Sequence, residues 1–438
     1  MATSKPDGNI NPSASLRTGL TRRRFLHAAA LGVYAVLTPA CKYQSQLFLL
    51  SSPPKEAKEP QSGWQYSQVQ SYRPLGKTGM RMSDISFGCA GLGDVQVVRR
   101  ALERGINYFD TSPDYSRAGS ERTLGEGIKG HPRDKLFIVS KFCTPDGHLP
   151  RETPVKDIMA AVEGSLSRIG TDYLDLVHIH AVDSIERLMD PNIHEAFDRL
   201  QEAGKMRFLG VSSHTPNLEA VMRQAVNCGR FDVIMVAYNF RNWPDLTLIL
   251  RDARARGVGV VVMKTLKGAR HTVLSDFTPT ERESFSQAAF KWVLSNPNVS
   301  GLVVTINRMS QVDEYLYASG QALQPEDIAL LEKYDRLIAQ DYCRPGCGEC
   351  LSSCPYEVPV NDIFRYAMYY ENYGQQRLAL EAYSTLPAAS NASQCLSCSA
   401  PCQQACPFGL PIKEKMLRFH PLLALAADRR DPGDYPFC

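Results

Sequence analysis

Gly105-Ile-Asn-Tyr-Phe-Asp110-Thr-Ser-Pro-Asp-Tyr115 decides how this chain is read. Residues 106–109 have the apolar character of a short buried strand. The chain then breaks at Asp110 into a turn-prone Thr-Ser-Pro and delivers Tyr115 five residues past the acid. An acid at a strand end followed by a tyrosine on the next loop suits proton chemistry, and enzymes with parallel strands keep their catalytic groups on such loops. The same letters also describe a capping Asp and a packed Tyr, so the stretch has to be weighed against its surroundings.

On both sides, short apolar runs alternate with amphipathic segments. Strands are predicted at 85–88, 106–109, 136–140, 174–179, 208–212, 233–237, 258–263 and 302–305. Helices are predicted after them at 95–104, 120–129, 155–169, 193–203, 217–227, 246–255, 282–294 and 311–317. That makes eight strand-then-helix units in the length a (β/α)8 TIM barrel uses. Runs that are apolar throughout, such as Val258-Gly-Val-Val-Val262, suit parallel strands buried on both faces. An open doubly wound sheet is the alternative. The first strand is not followed by Gly-x-Gly-x-x-Gly, which argues against the dinucleotide-binding form of that sheet.

Length and composition set the outer bounds. The chain has 438 residues, enough for two or three domains. Lys and Arg exceed Asp and Glu by 49 to 46, so charge gives no argument for nucleic acid or an anionic membrane surface. The segments are read as a signal region (1–41), a linker (42–71), the barrel (72–320), a connecting helix (321–340), a cysteine-rich domain (341–425) and a tail (426–438).

Four chemistry-bearing side chains fall at or just past successive strands: Asp110, Tyr115, Lys141 and His180. A barrel would gather them at one mouth. A tyrosine hydroxyl keeps its proton to about pH 10, and a neighbouring ammonium is expected to lower that value. Asp110 is expected to pair with Lys141, His180 to orient a carbonyl, and Tyr115 to give the carbonyl oxygen its proton. His178 is the rival histidine, on the same strand face and deeper.

These residues resemble the Asp, Tyr, Lys, His tetrad of the aldo-keto reductase family. The resemblance runs from Tyr72-Arg-Pro-Leu-Gly-Lys-Thr-Gly79 to about residue 318. It includes Asp110-Thr-Ser-Pro-Asp-Tyr115, Ser140-Lys141, the Asp-Tyr-Leu-Asp-Leu run ending in His180, Leu209-Gly-Val-Ser212, Tyr238-Asn239 and Met263-Lys264. It implies a carbonyl or alcohol substrate and a nicotinamide cofactor, NADPH. By the same resemblance Tyr238 would stack on the nicotinamide, Ser212 would touch its carboxamide, Lys264 would lie along the cofactor, and Arg308 would reach a 2′-phosphate. The chain departs from the family at Ser213, at Met235 and in the stretch 303–308.

Thirteen cysteines are unevenly spread, eight of them in two motifs. The first is Cys343, Cys347, Cys350 and Cys354-Pro355; the second is Cys395, Cys398, Cys402 and Cys406-Pro407. Close cysteines ending in Cys-x3-Cys-Pro resemble bacterial ferredoxin motifs for [4Fe–4S] clusters, here in a mostly helical two-cluster module with a long helical segment at 360–383. That resemblance implies two clusters, one held by Cys343, Cys347, Cys350 and Cys406, the other by Cys395, Cys398, Cys402 and Cys354, and a redox protein partner. Zinc and disulfides are the competing readings. Cys89, Cys143, Cys228 and Cys438 are read as ordinary thiols.

Thr21-Arg22-Arg23-Arg24-Phe25-Leu26 precedes a mostly apolar run at 28–40. Paired arginines ahead of a short apolar run read as a twin-arginine export signal; the run is too short to span a bilayer. The protein is therefore expected in the periplasm or on the outer face of the cytoplasmic membrane. A lipid on Cys41 would attach it there, although Pro39 departs from that pattern. Together these readings imply an exported iron–sulfur oxidoreductase. The alternative is an electron-transfer or partner-binding protein on a barrel that no longer binds nicotinamide.

Overall fold

The structure is a computed structural model that describes residues 62–214, 217–241, 245–266, 284–344, 347–372 and 376–424. The paired arginines, Cys41 and the tail 426–438 lie outside the described residues. Eight strands close a barrel in sequence order: β1 (Ile85–Gly88), β2 (Tyr108–Asp110), β3 (Phe137–Lys141), β4 (Leu174–Ile179), β5 (Met206–Ser213), β6 (Val233–Ala237), β7 (Gly259–Met263) and β8 (Gly301–Thr305). Every neighbouring pair is parallel, and β8 returns to β1 with Val303 opposite Ser86. The eight-unit barrel read from the alternating pattern is thus the observed fold.

Strand side chains alternate in direction, and here both directions are dry. Tyr108, Phe137, Val139, Leu176, Val233, Met235, Val261 and Val303 fill the interior. Phe109, Ile138, Val177, Val211, Ile234, Val236, Val260 and Val262 face the surrounding helices. This explains why the strand sequences are apolar without a break. Each strand is followed by a helix: α1 (Val95–Glu103), α2 (Gly119–Ile128), α3 (Val155–Ile169), α4 (Pro191–Glu202), α5 (Leu218–Asn227), α6 (Thr247–Ala255), α7 (Phe285–Leu294) and α8 (Met309–Leu316). Asp94 caps α1 and Ser284 caps α7, each accepting a backbone N–H of the first turn. All of α7 is buried, because α9 (Pro325–Leu337) covers its outer side through the Lys291–Asp327 pair at 2.6 Å and the Phe285–Tyr334 ring contact.

An antiparallel hairpin, Tyr72–Pro74 with Arg81–Ser83, closes the N-terminal end. Its Leu75 and Met82 plug the barrel interior. Gly259 and Gly301 open β7 and β8 where those plugs enter, and a Cβ on either would lie 2.7 Å from the plugging side chain. Residues 62–71, at the end of the stretch read as a linker, pack on the barrel. Trp64 is buried, and the Gln70 N–H donates to Ser319 Oγ at 2.8 Å.

The cysteine module builds a second small core from α10 (Val360–Asn372), α11 (Gln376–Ser384) and α12 (Ile412–Leu423). Within the predicted helical segment 360–383, the described residues form α10 and α11. The core includes Val358, Ile363, Phe364, Met416 and Phe419, together with cysteine side chains. Among the described residues no helix is long and apolar enough to cross a membrane.

Candidate active site and cysteine module

Asp110 and Lys141 end β2 and β3, and His180 follows β4 by one residue. Lys141 Nζ donates to Asp110 Oδ1 and to the Thr111 carbonyl, both at 2.7 Å. The two side chains are only 2% and 4% exposed. Tyr115 arrives on the loop after β2. Its ring centroid lies 5.0 Å from Lys141 Nζ, and the His180 ring meets it edge-on at 6.2 Å. The barrel thus brings Asp110, Tyr115, Lys141 and His180 together at its C-terminal mouth.

Burial pushes the Asp110 carboxyl up, and the Lys141 charge with its hydrogen bond pulls it back. Burial, reinforced by Asp110 and Asp114, pushes the Tyr115 phenol well above its ordinary value of 10.0. The expected lowering by Lys141 is therefore corrected: its ammonium is spent on Asp110 and Thr111, and it faces the ring. Burial first, then the His148 and Lys141 charges, holds His180 well below 6.5. At neutral pH the site presents a protonated phenol beside a neutral imidazole. His178 lies deeper and wholly buried, with neither ring nitrogen hydrogen-bonded. Gly210 makes room for it, since a Cβ there would stand 2.4 Å from His178 Nδ1.

The residues expected around a nicotinamide divide. Ser212 is buried and its Oγ accepts the Ala181 N–H at 3.0 Å, bracing the chain beside His180. Tyr238, expected to stack on the nicotinamide, is buried directly after β6. It follows β6 on the outward face, packs on Trp292 and accepts Asn296 Nδ2 at 3.1 Å. Lys264 follows β7 by one residue in the left-handed region, φ 56°, with its carbonyl accepting Asn239 Nδ2 at 3.3 Å. Arg308 is exposed at the start of α8.

Three groups at the mouth were not singled out from sequence. Cys143, read as an ordinary thiol, has its Sγ 3.2 Å from His180 Nδ1. Asp114 Oδ2 lies 3.6 Å from both His180 Nδ1 and His148 Nε2. His148 stands on a short hairpin, Cys143–Thr144 with Gly147–His148, which folds it back over the strand ends. The signal for Cys143 was available: it stands two residues past Lys141, so it faces the same way.

The cysteine module covers this mouth. Tyr369 of α10 comes within 3.4 Å of Lys264 Nζ, and Arg365 Nη1 within 3.0 Å of His214 Nδ1. Glu381 of α11 pairs with Arg117 at 3.3 Å. Burial would raise the Tyr369 phenol, but the Lys264 and Arg365 charges outweigh it and lower its pKa.

Within the module all eight motif cysteines are free thiols. Burial raises Cys343, and Cys347, Cys350 and Cys406 are the thiols that act on it. Burial likewise pushes Cys395 up to about 11, with Cys402, Cys354 and Cys398 as its thiol neighbours. Burial also pushes Cys350 up to about 12, with Cys402, Cys347 and Cys406 as its thiol neighbours, so thiols of the two motifs meet. Backbone N–H groups of Val358 and Ala400 already donate to Cys354 Sγ and Cys398 Sγ at 3.4 and 3.3 Å. Four thiolates around one zinc ion would stand about 3.8 Å apart, from bonds of about 2.3 Å. Among the described residues, the motif thiols form no group that close.

Comparison with known proteins agrees with both parts. The model of the Aldo/keto reductase family matches residues 86–336, and that of a 4Fe-4S dicluster domain matches 342–410. L-galactose dehydrogenase of Arabidopsis thaliana is 27% identical over 56% of this chain and 87% of its own. L-glyceraldehyde 3-phosphate reductase of Escherichia coli O157:H7 is 23% identical over 61% and 93%. Among solved structures, aldo-keto reductase AKR11C1 from Bacillus halodurans in its holo form has the same fold, with a TM-score of 0.50 at 24% identity over 60% of this chain and 96% of its own. With more than half of its residues matched, eight parallel strands closed in sequence order and a ferredoxin-type domain behind them, the chain belongs to the aldo/keto reductase family.

Proposed function

We propose that this protein is an exported iron–sulfur oxidoreductase that reduces a carbonyl or oxidises an alcohol with NADPH. The observation that carries the reading is the buried Lys141–Asp110 pair beneath Tyr115, with neutral His180 on the edge of the same ring. The nicotinamide, bound near Ser212 and Lys264 with Arg308 toward its 2′-phosphate, would supply hydride. His180 orients the carbonyl oxygen by an N–H donation. Tyr115 gives that oxygen its proton, and Lys141, fixed by Asp110, stabilises the phenolate left behind. Removing the hydroxyl in Tyr115→Phe is expected to cut carbonyl reduction by about 100-fold or more without moving the melting temperature. Unchanged reduction would remove the tetrad from the mechanism.

Two [4Fe–4S] clusters are proposed on the two sets of four thiols. A nicotinamide passes two electrons as hydride, a cluster passes one at a time, and no flavin motif is legible. We therefore assign the clusters to a redox protein partner or to holding the module together. Export of the folded, cluster-loaded chain by the twin-arginine route fits cluster assembly in the cytoplasm.

A second reading has its own support. Tyr369 reaches Lys264, the residue expected along the cofactor, and Tyr238 is packed on Trp292. Both features favour a barrel that serves as a scaffold for the cluster module. Titrating the anaerobic, cluster-loaded protein with NADPH and following nicotinamide fluorescence separates the two. Saturable binding supports the reductase; no binding, with no nicotinamide already present, supports the scaffold.

A further inference from the structure

We propose that Asp114, Cys143, His148 and His180 form a binding site for a thiophilic divalent cation of the zinc class at the barrel mouth. One donor atom from each of these residues lies within 4.8 Å of the other three. Two of the spacings are already those of a coordination tetrahedron. Asp114 Oδ2 stands 3.6 Å from His180 Nδ1 and 3.6 Å from His148 Nε2, where zinc bonds of about 2.0–2.3 Å require edges of about 3.3–3.8 Å; Cys143 Sγ, 3.2 Å from His180 Nδ1, would move slightly outward. His148 completes the set, its ring 4.3 Å from that of His180. The other Asp114 oxygen, Oδ1, is buried without a hydrogen-bond donor, so the carboxylate is not committed elsewhere.

The chemistry of the set is as suitable as its spacing. Two imidazoles, one thiolate and one carboxylate are a normal zinc donor set, unlike the all-sulfur surroundings in the module. Loading releases the Cys143 thiol proton to solvent. One thiolate and one carboxylate then balance the two positive charges of the ion, which matters because Lys141 and Arg187 are the nearby cations. The four ligands come from three loops, after β2, β3 and β4, so an ion here would tie the mouth together. With Nδ1 of His180 on the metal, its proton must sit on Nε2, the form that can donate. The site stands whether or not nicotinamide binds.

The test uses the anaerobic, full-length, cluster-loaded protein, equilibrated with chelator-buffered zinc and freed of excess by gel filtration. Zinc, iron and acid-labile sulfide are measured on the same sample. One zinc per chain with iron and sulfide unchanged is expected. His148→Ala, at an exposed hairpin position, and Cys143→Ser should each weaken zinc binding about tenfold or more. X-ray absorption at the zinc edge should show one sulfur and three nitrogen or oxygen neighbours. An all-sulfur shell with loss of iron would mean that zinc had taken cluster cysteines, and would overturn the proposal. So would zinc uptake that neither substitution alters, or no uptake at all.

Discussion

Inside the barrel, Tyr108, Phe137, Leu176, Met235 and Val261 meet one another in a layer that needs no metal. Inside the cysteine module, Cys350, Cys395 and Cys402 share the core with apolar side chains such as Val358, Ile363, Phe364, Met416 and Phe419. The difference follows from size. A barrel of eight strands and their helices buries enough apolar surface to hold itself. A segment of about eighty residues interrupted by two four-cysteine motifs does not, and small domains of that kind are completed by a metal or by cross-links. The two regions differ in chemistry as well: the barrel places acids, bases and a phenol, while the module places sulfur and sends one tyrosine and one arginine over the barrel mouth.

Iron removal should break this comparison most sharply. Anaerobic chelation is expected to unfold the module while the barrel persists. Limited proteolysis would then cut first within residues 340–424 and leave a resistant barrel fragment; simultaneous digestion of both would show that they fold as one. Next comes Lys141→Met, which leaves Asp110 buried without its cation. Such a loss costs about 3–5 kcal/mol, and the urea midpoint of the barrel transition should fall accordingly with the iron content unchanged.

A smaller effect sharpens the boundary between the two regions. Tyr369→Phe removes the hydroxyl that comes within 3.4 Å of Lys264. A hydrogen bond involving a charged group is worth about 1.5–3 kcal/mol, so freeing Lys264 should tighten NADPH binding about tenfold or more. Weaker binding would instead make Tyr369 a part of the cofactor site. The smallest effect is expected from Arg117→Ala. Arg117 and Glu381 are 65% and 51% exposed, and exposed pairs contribute about 0–1 kcal/mol. Its melting temperature should stay within error of the parent, and a large drop would show that the module is fastened to the barrel mainly by charge.

Much of this was legible in the chain itself. Strand and helix periodicities differ, so eight alternations announced the barrel, and the strand ends placed Asp110, Lys141 and His180 on one rim. Cysteine spacing announced the module. Both are local signals, because strand alternation and close ligand spacing are set by neighbours in sequence. Tyr238 shows where that reasoning stops. It follows β6 on the face that turns outward, and the barrel register, not the residue type, sends it under α7.

What only the tertiary structure decided is who meets across long distances. Lys141 is held by the Asp110 carboxylate and the Thr111 carbonyl, and burial keeps the proton on Tyr115 in the resting site. His148 comes back to His180 through a two-residue hairpin that no periodicity marks. Tyr369 reaches Lys264 from 105 residues away, because helix packing, which depends on shape and not on local pattern, lays α10 across the mouth.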